Sequence, residues 1–249
     1  MGADGSLLRT QGLAKSFGGL RALDGVDFAL RSGELRAVIG PNGAGKTTFF
    51  NLITGLLPAT GGRIFFKGEE ITGLPPHRVA RKGIGRTLQI TSLFPGLTVY
   101  ENVWIAAQSR RRFFNPFVHF SSLKDVERKA HEVLEVIGLR DKRRELGSNL
   151  SHGDQRLLEI GLALSTSPSL LLLDEPTAGL GVQETREVAR TIKGFARNMT
   201  IILVEHDMDV VMSVADTITV LDQGRVIAEG PPEEIQRSPR VREAYLGVE

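Results

Sequence analysis

The sequence predicts an α/β fold in which a mainly parallel sheet is covered by helices, and three observations predict it. Largely apolar runs of four or five residues, Leu35 to Ile39, Leu170 to Leu173, Thr200 to Val204 and Thr217 to Leu221, alternate with helical stretches, as strands buried on both faces do. The first of these runs leads through a glycine-rich loop into a helix-compatible segment that begins at Lys46. Ahead of it, Leu7 to Leu30 carries short alternating stretches that read as a small antiparallel β layer.

With 249 residues the chain can bury a sizeable core, and 41% hydrophobic with 24% charged residues is ordinary for a globular protein. A net charge of only +2 gives no global basic excess of the kind that advertises nucleic-acid binding. The absence of cysteine excludes disulfides and thiolate metal sites. Five scattered histidines argue against a dedicated zinc site. No uncharged apolar run reaches 18 residues, and Met1 to Thr10 lacks the basic start and apolar stretch of a secretory signal. The expectation is a chain that neither spans a membrane nor is secreted.

Taken in order, Val26, Phe28 and Leu30 share one face of the first β layer, and Gly18-Gly19, Asp24-Gly25 and Ser32-Gly33 read as its breaks. Phe17 is either buried core or a platform for an aromatic base, and the residues around it do not separate the two. Gly61-Gly62 opens a hairpin-like strand, Arg63 to Phe66, closed by Lys67-Gly68. Pro75-Pro76 starts a helix that runs into Lys82, and Ile84 to Leu88 reads as a further strand ending at Gln89. From Thr98 to about Ile137 the spacing is helical, interrupted between Arg110 and Phe120. Basic and aromatic residues side by side in that gap can touch a membrane or a nucleic acid. Three arginines fall short of a polybasic cluster, so it reads as a packed insertion. Helices follow at Gln183 to Arg197 and Met208 to Ala215, then a strand from Arg225 to Ala228 and a terminal helical pair opened by Pro231-Pro232.

The loop Gly40-Pro-Asn-Gly-Ala-Gly-Lys46-Thr47 is the pattern in which glycines turn backbone N–H groups around phosphate oxygens and a helix start adds its dipole. Lys46 is placed for the β- and γ-phosphates and Thr47 for Mg²⁺. At the end of the buried run Leu170 to Leu173 stand Asp174 and Glu175, where ligands sit in open α/β sheets. Asp174 suits water-mediated Mg²⁺ and Glu175 suits a base or water-orienting group for hydrolysis. The run ending at Val204-Glu205-His206 repeats this placement and offers His206 to a γ-phosphate. Between the phosphate loop and these strand ends, along the chain, lies Leu150-Ser151-His152-Gly153-Asp154-Gln155, a second polar turn before an apolar helix. Ser151, Gly153 and their neighbouring N–H groups make a further anion-binding start. Two such starts in one chain suggest a dimer in which each subunit completes the other's site.

In this order, these residues resemble the ATP-binding subunits of ABC transporters over nearly the whole chain. The resemblance implies a P-loop NTPase core with a mainly parallel sheet, an N-terminal antiparallel β subdomain and an inserted α-helical subdomain. It implies one cassette over 1–249, with the core and β subdomain in 7–87 and 166–249 and the helical subdomain with the signature in 88–165. By the same resemblance Phe17 takes the adenine platform, and Gly40 to Thr48 match the Walker A loop, with Asn42, Gly43, Ala44, Gly45, Lys46, Thr47 and Thr48 around the phosphates. Gln89 matches the Q-loop glutamine, a ligand of Mg²⁺ and of the attacking water. Leu150 to Gln155 match the signature, with Ser151 and Gly153 nearest phosphate. Asp174 and Glu175 match Walker B, and His206 matches the switch histidine.

The resemblance further implies ATP and Mg²⁺ as cofactors and a second ATPase subunit, identical or homologous, paired head to tail. Transmembrane permease subunits and, indirectly, a substrate-binding protein follow as partners, with no nucleic acid. The location implied is the cytoplasmic face of the cell membrane. Three positions depart from the pattern: His152 and Asp154 replace the usual third and fifth signature residues, and Gly181 stands where an aspartate or asparagine is common. Within the family, Arg86 to Phe94, the Arg110 to Phe120 insertion and Pro239 to Gly247 are most like branched-chain amino-acid uptake ATPases. Subunits for urea, amide or lipid cargo are similar. A soluble ABC-type ATPase acting on nucleic acid or ribosomes is the rival, yet such proteins carry two cassettes or a long coiled-coil insert. A GTPase reading lacks the Asn-Lys-x-Asp guanine reader.

Overall fold

The structure, a computed structural model, describes residues 5–87, 93–109 and 121–246. Two sheets organise it. The first is antiparallel, with β1 (Ser6–Phe17), β2 (Leu20–Arg31), β4 (Gly61–Phe66) and β5 (Glu69–Glu70) in the order β2-β1-β4-β5. The second contains β3 (Leu35–Ile39), β6 (Ile84–Arg86), β7 (Leu170–Asp174), β8 (Thr200–Val204), β9 (Thr217–Asp222) and β10 (Arg225–Gly230) in the order β10-β9-β3-β8-β7-β6. All its neighbours run parallel except β10, which returns antiparallel along β9.

The apolar runs lie where burial on both faces requires them. Leu171 and Leu173 of β7 face one core with Ile201 and Leu203, while Leu170 and Leu172 face another with Ile202 and Val204. This is the two-residue period of a strand covered above and below. The first core is closed by α3 (Val99–Gln108), α4 (Ser121–Val136), α5 (His152–Ser165) and α6 (Val182–Ala196). The second is closed by α1 (Lys46–Ile53) and by the antiparallel sheet, whose Val26, Phe28 and Leu30 point into it. α2 (Pro76–Lys82) adds Val79 to the same side. A third cluster joins Ile39 and Val220 to α7 (Met208–Val214), α8 (Pro232–Arg237) and α9 (Pro239–Leu246).

Two expectations change. Asp24-Gly25 does not break the N-terminal layer; it lies inside β2, where the pairing with β1 shifts register between Leu13↔Val26 and Lys15↔Leu23. Gly25 takes the left-handed conformation there, as a bulge requires. The strand expected from Ile84 to Leu88 spans Ile84–Arg86 among the described residues, and Leu88 lies outside them. Gln89 and the Arg110 to Phe120 insertion lie outside the described residues. α3 begins on a reciprocal cap between Thr98 and Glu101. Buried Asn102 then donates to the carbonyls of Phe94 and Thr98 at 3.1 and 3.0 Å and accepts Phe94 N–H at 2.8 Å, fastening the preceding loop.

Candidate functional site

The loop after β3 is wedged between the two sheets. A Cβ on Gly40 would lie 2.0 Å from the Leu221 carbonyl oxygen, and one on Gly45, where φ is 104°, would lie 2.6 Å from that of Ala22. Side chains are therefore excluded at both ends of the loop. Gly224 N–H donates to the Ala44 carbonyl at 3.1 Å, and Phe49 N–H closes the first turn of α1 onto Gly45 at 2.8 Å. No side chain caps α1. Lys46 is buried and donates from Nζ to the carbonyls of Gly40 (2.7 Å) and Pro41 (3.0 Å). Burial lowers its pKa below the ordinary lysine value, and the nearby charges of Glu175 and Asp174 oppose this.

A cleft of about 330 Å³ opens over this loop. Asn42, Gly43, Ala44, Gly45, Lys46, Thr47 and Thr48 form one wall, and Phe17, Glu175 and His206 complete it with Leu20 and Ala22. Phe17 is 46% exposed, so it is not core; the Lys15 ammonium stands 5.0 Å from its ring centre. The ring edge of the cleft is thus available to a flat apolar group.

β7 and β8 are adjacent and in register at Asp174↔Val204, which brings the two polar strand ends level. Glu175 takes a left-handed backbone (φ 50°), held by its N–H to the Val204 carbonyl at 2.9 Å. A non-glycine residue in that conformation is strained, and such strain gathers at functional sites. Its Oε1 lies 2.7 Å from His206 Nε2. Beside them Glu205 is buried and accepts Thr177 N–H at 2.9 Å, Thr177 Oγ1 at 2.6 Å and His206 N–H at 3.0 Å. Asp207 caps α7 through the N–H groups of Asp209 and Val210. His206 is therefore pinned from both sides.

Asp174 is buried and paired with Arg86, Nη2 to Oδ2 at 2.8 Å. Arg86 also reaches Asn51 Oδ1 at 2.6 Å and lies over the Phe50 ring at 5.4 Å. Among the described residues, Asp174 Oδ1 and Arg86 Nε are buried without a hydrogen-bond partner. An orphan carboxylate oxygen beside a phosphate loop fits a hydrated Mg²⁺, which binds through one or two carboxylates plus substrate phosphates. Among those residues no three His, Asp or Glu side chains cluster to hold a metal by themselves. Thr47 supplies an exposed hydroxyl on the cleft wall.

Ser151 and Gly153 do not line the described cleft; they start α5. Ser151 caps it by accepting Asp154 N–H at 3.2 Å. Gly153 N–H donates to Glu184 Oε1 of α6 at 3.0 Å, and Gly181 N–H to Glu184 Oε2 at 3.3 Å. Asp154 is ion-paired with Lys142, which accounts for a carboxylate at that signature position. Arg86, Glu205 and Glu184 were not among the expected site residues. Arg86 and Glu205 stand within three residues of Gln89 and beside His206, and that adjacency is the signal that points to them.

A family model described as ABC transporter matches residues 23–178, and one described as branched-chain amino acid ATP-binding cassette transporter matches residues 225–249. The chain is 42% identical over 250 residues to the high-affinity branched-chain amino acid transport ATP-binding protein BraF of Pseudomonas aeruginosa, covering 97% of this chain and 98% of that protein. It is 42% identical over 249 residues to LivG of Escherichia coli, of the same description and with the same coverage. Among solved structures, the ADP conformation of an ATP-binding cassette of an ABC transporter superposes with a TM-score of 0.85 at 32% identity, covering 98% of this chain and 99% of that one. A dimeric bacterial ABC transporter cassette superposes with a TM-score of 0.75 at 25% identity, covering 90% and 98%.

Proposed function

The chain belongs to the ABC transporter family of ATP-binding subunits and is an ABC-type ATPase, and we propose that its hydrolysis of ATP powers the uptake of branched-chain or related amino acids. The observation that carries the reading is the single cleft in which Lys46, Glu175 and His206 meet the phosphate loop. In this reading the adenine stacks on Phe17, and the phosphates enter among the N–H groups of Asn42 to Thr48. Lys46 gives up the Gly40 and Pro41 carbonyls for phosphate oxygens, a trade of neutral acceptors for charged ones.

Glu175 takes the proton of the attacking water, and His206, bonded to it, orients it and faces the γ-phosphate. Thr47 and, through water, Asp174 would hold Mg²⁺, and Gln89 would join them by family resemblance. Bound there, Mg²⁺ would neutralise charge building on the phosphate oxygens. Ser151 and Gly153 of a second ATPase chain, identical or homologous, complete the site from across a head-to-tail pair; the dimeric structure of a related cassette supports the presence of a second chain.

Among the described residues no helix is long and apolar enough to cross a membrane. Passage of the cargo therefore falls to permease subunits, with a substrate-binding protein as an indirect partner, and the chain sits on the cytoplasmic face of the membrane through them. The cargo reading rests on the similarity to BraF and LivG and on the match at residues 225–249. Its test is uptake of radiolabelled leucine by cells carrying the permease with either the parent or Glu175→Gln. Leucine uptake lost with Glu175→Gln is expected. Uptake equal in both proteins would overturn the role of Glu175, and uptake of urea or an amide alone would overturn the cargo.

A further inference from the structure

The carboxylate of Glu184 is the anion that the start of α5 already holds. Its Oε1 accepts Gly153 N–H at 3.0 Å while Oε2 accepts Gly181 N–H at 3.3 Å, so one side chain ties the signature turn to the start of α6. The approach is close: a Cβ on Gly153 would lie 3.1 Å from the Cβ and Cγ of Glu184. The amides of Gly153 and Gly181, more than the Ser151 hydroxyl and the nearby His152, hold the Glu184 carboxyl below the ordinary glutamate range. Gly153 N–H, a group expected to meet a phosphate, is thus engaged by an anion of the same chain, and Ser151 beside it caps α5.

We propose that Glu184 is a positioning residue that locks the signature turn to the start of α6 in the single subunit, and that the terminal phosphate of a nucleotide borne by the partner subunit displaces it when the pair closes. The proposal rests on the shared-site reading above. A carboxylate and a phosphate cannot both accept the same N–H, and their like charges repel at that distance. Once displaced, Glu184 releases Gly181. From Gly181 the chain leads back in tight turns to the catalytic strand end, with Leu180 N–H on the Thr177 carbonyl at 3.2 Å and Ala178 N–H on that of Glu175 at 3.1 Å. Arrival of nucleotide in one cleft is in this way felt beside the Glu175 of the other.

The test is an ATP titration of dimer formation by the full chain, followed by light scattering in a Glu175→Gln background with Mg²⁺ present. Glu184→Gln keeps the acceptor and removes the charge, and a charged acceptor bonds roughly twice as strongly as a neutral one. The ATP concentration at half-maximal dimer should fall by about tenfold, which corresponds to ~1.4 kcal/mol. Glu187→Gln makes the same charge change on an exposed position of the next turn and should leave the half-point where it was. An unchanged or raised half-point in Glu184→Gln overturns the proposal, as does an equal shift in Glu187→Gln. A dimer in neither protein sinks the shared site itself, and the proposal with it. A merely structural role for Glu184 would weaken dimerisation on its loss; only an internal competitor strengthens it.

Discussion

His206 Nε2 lies 2.7 Å from Glu175 Oε1, so the ends of the neighbouring strands β7 and β8 are bonded to each other beside the phosphate loop. The carboxylate is already oriented, on a backbone that its neighbours hold in the left-handed region. Replacing Glu175 by Gln preserves shape and hydrogen bonding but removes the base. Phosphate release with excess ATP and Mg²⁺ should fall roughly 10²- to 10⁴-fold, the usual contribution of a general base, while ATP still binds. Turnover near that of the parent would remove Glu175 from the chemistry.

Lys46 is satisfied by two carbonyls of its own loop, so its truncation removes a donor from the Gly40 and Pro41 oxygens and leaves the phosphates uncompensated. Lys46→Ala should bind ATP weakly. A ligand at ~100 times its dissociation constant stabilises by about 2.7 kcal/mol. ATP should therefore raise the melting temperature of the parent and barely move that of the variant. Equal shifts would place the phosphates elsewhere.

Arg86 and Asp174 have side chains only 10% and 1% exposed. Arg86→Met fills similar space but strands a buried carboxylate, and breaking such a pair from one side costs about 3–5 kcal/mol. Denaturant unfolding should report that loss, and Asp174→Asn in the same chain should restore part of it. Stability unchanged in Arg86→Met would mean that the pair is not formed in solution.

The absence of cysteine makes introduced thiols unambiguous reporters of the shared site. Ala44 and Leu150 are buried within their own subunit, whereas Asn42 and His152 are exposed. A chain with Asn42→Cys and His152→Cys should form a covalent dimer under mild oxidation when ATP is present and hydrolysis is blocked, since a disulfide needs Cα atoms within about 4.4–6.8 Å. Neither single variant should give it. Bonding that is equally efficient without nucleotide, or confined to monomers, would count against head-to-tail pairing.

What the sequence made legible is local or periodic. The runs at Leu170 to Leu173 and Thr200 to Val204 declare strands covered on both faces, and the glycines around Lys46 declare a phosphate loop, because spacing along the chain carries both signals. Asp24-Gly25 misled for the complementary reason: a turn-forming pair was carried through as a bulge by twelve-residue strands that pair on either side of it. Arg86, Glu184 and Glu205 were illegible as site residues because their partners lie 88, 31 and 28 positions away. Only the order of strands brings them together.

The wedging of the phosphate loop between two sheets has a kinetic meaning. Gly45 is shaped against Ala22, Ala44 accepts from Gly224, and Asp24 is bonded to Arg225, 201 positions away. Contacts of such sequence separation are late events, since the intervening chain must first be ordered. During synthesis, then, the segment around Lys46 emerges early but takes its binding shape only when β10 has been made and laid along β9. A nascent chain stalled before Arg225 should be unable to retain ATP, which makes nucleotide capture a mark of completed folding, and keeps half-made subunits from consuming it.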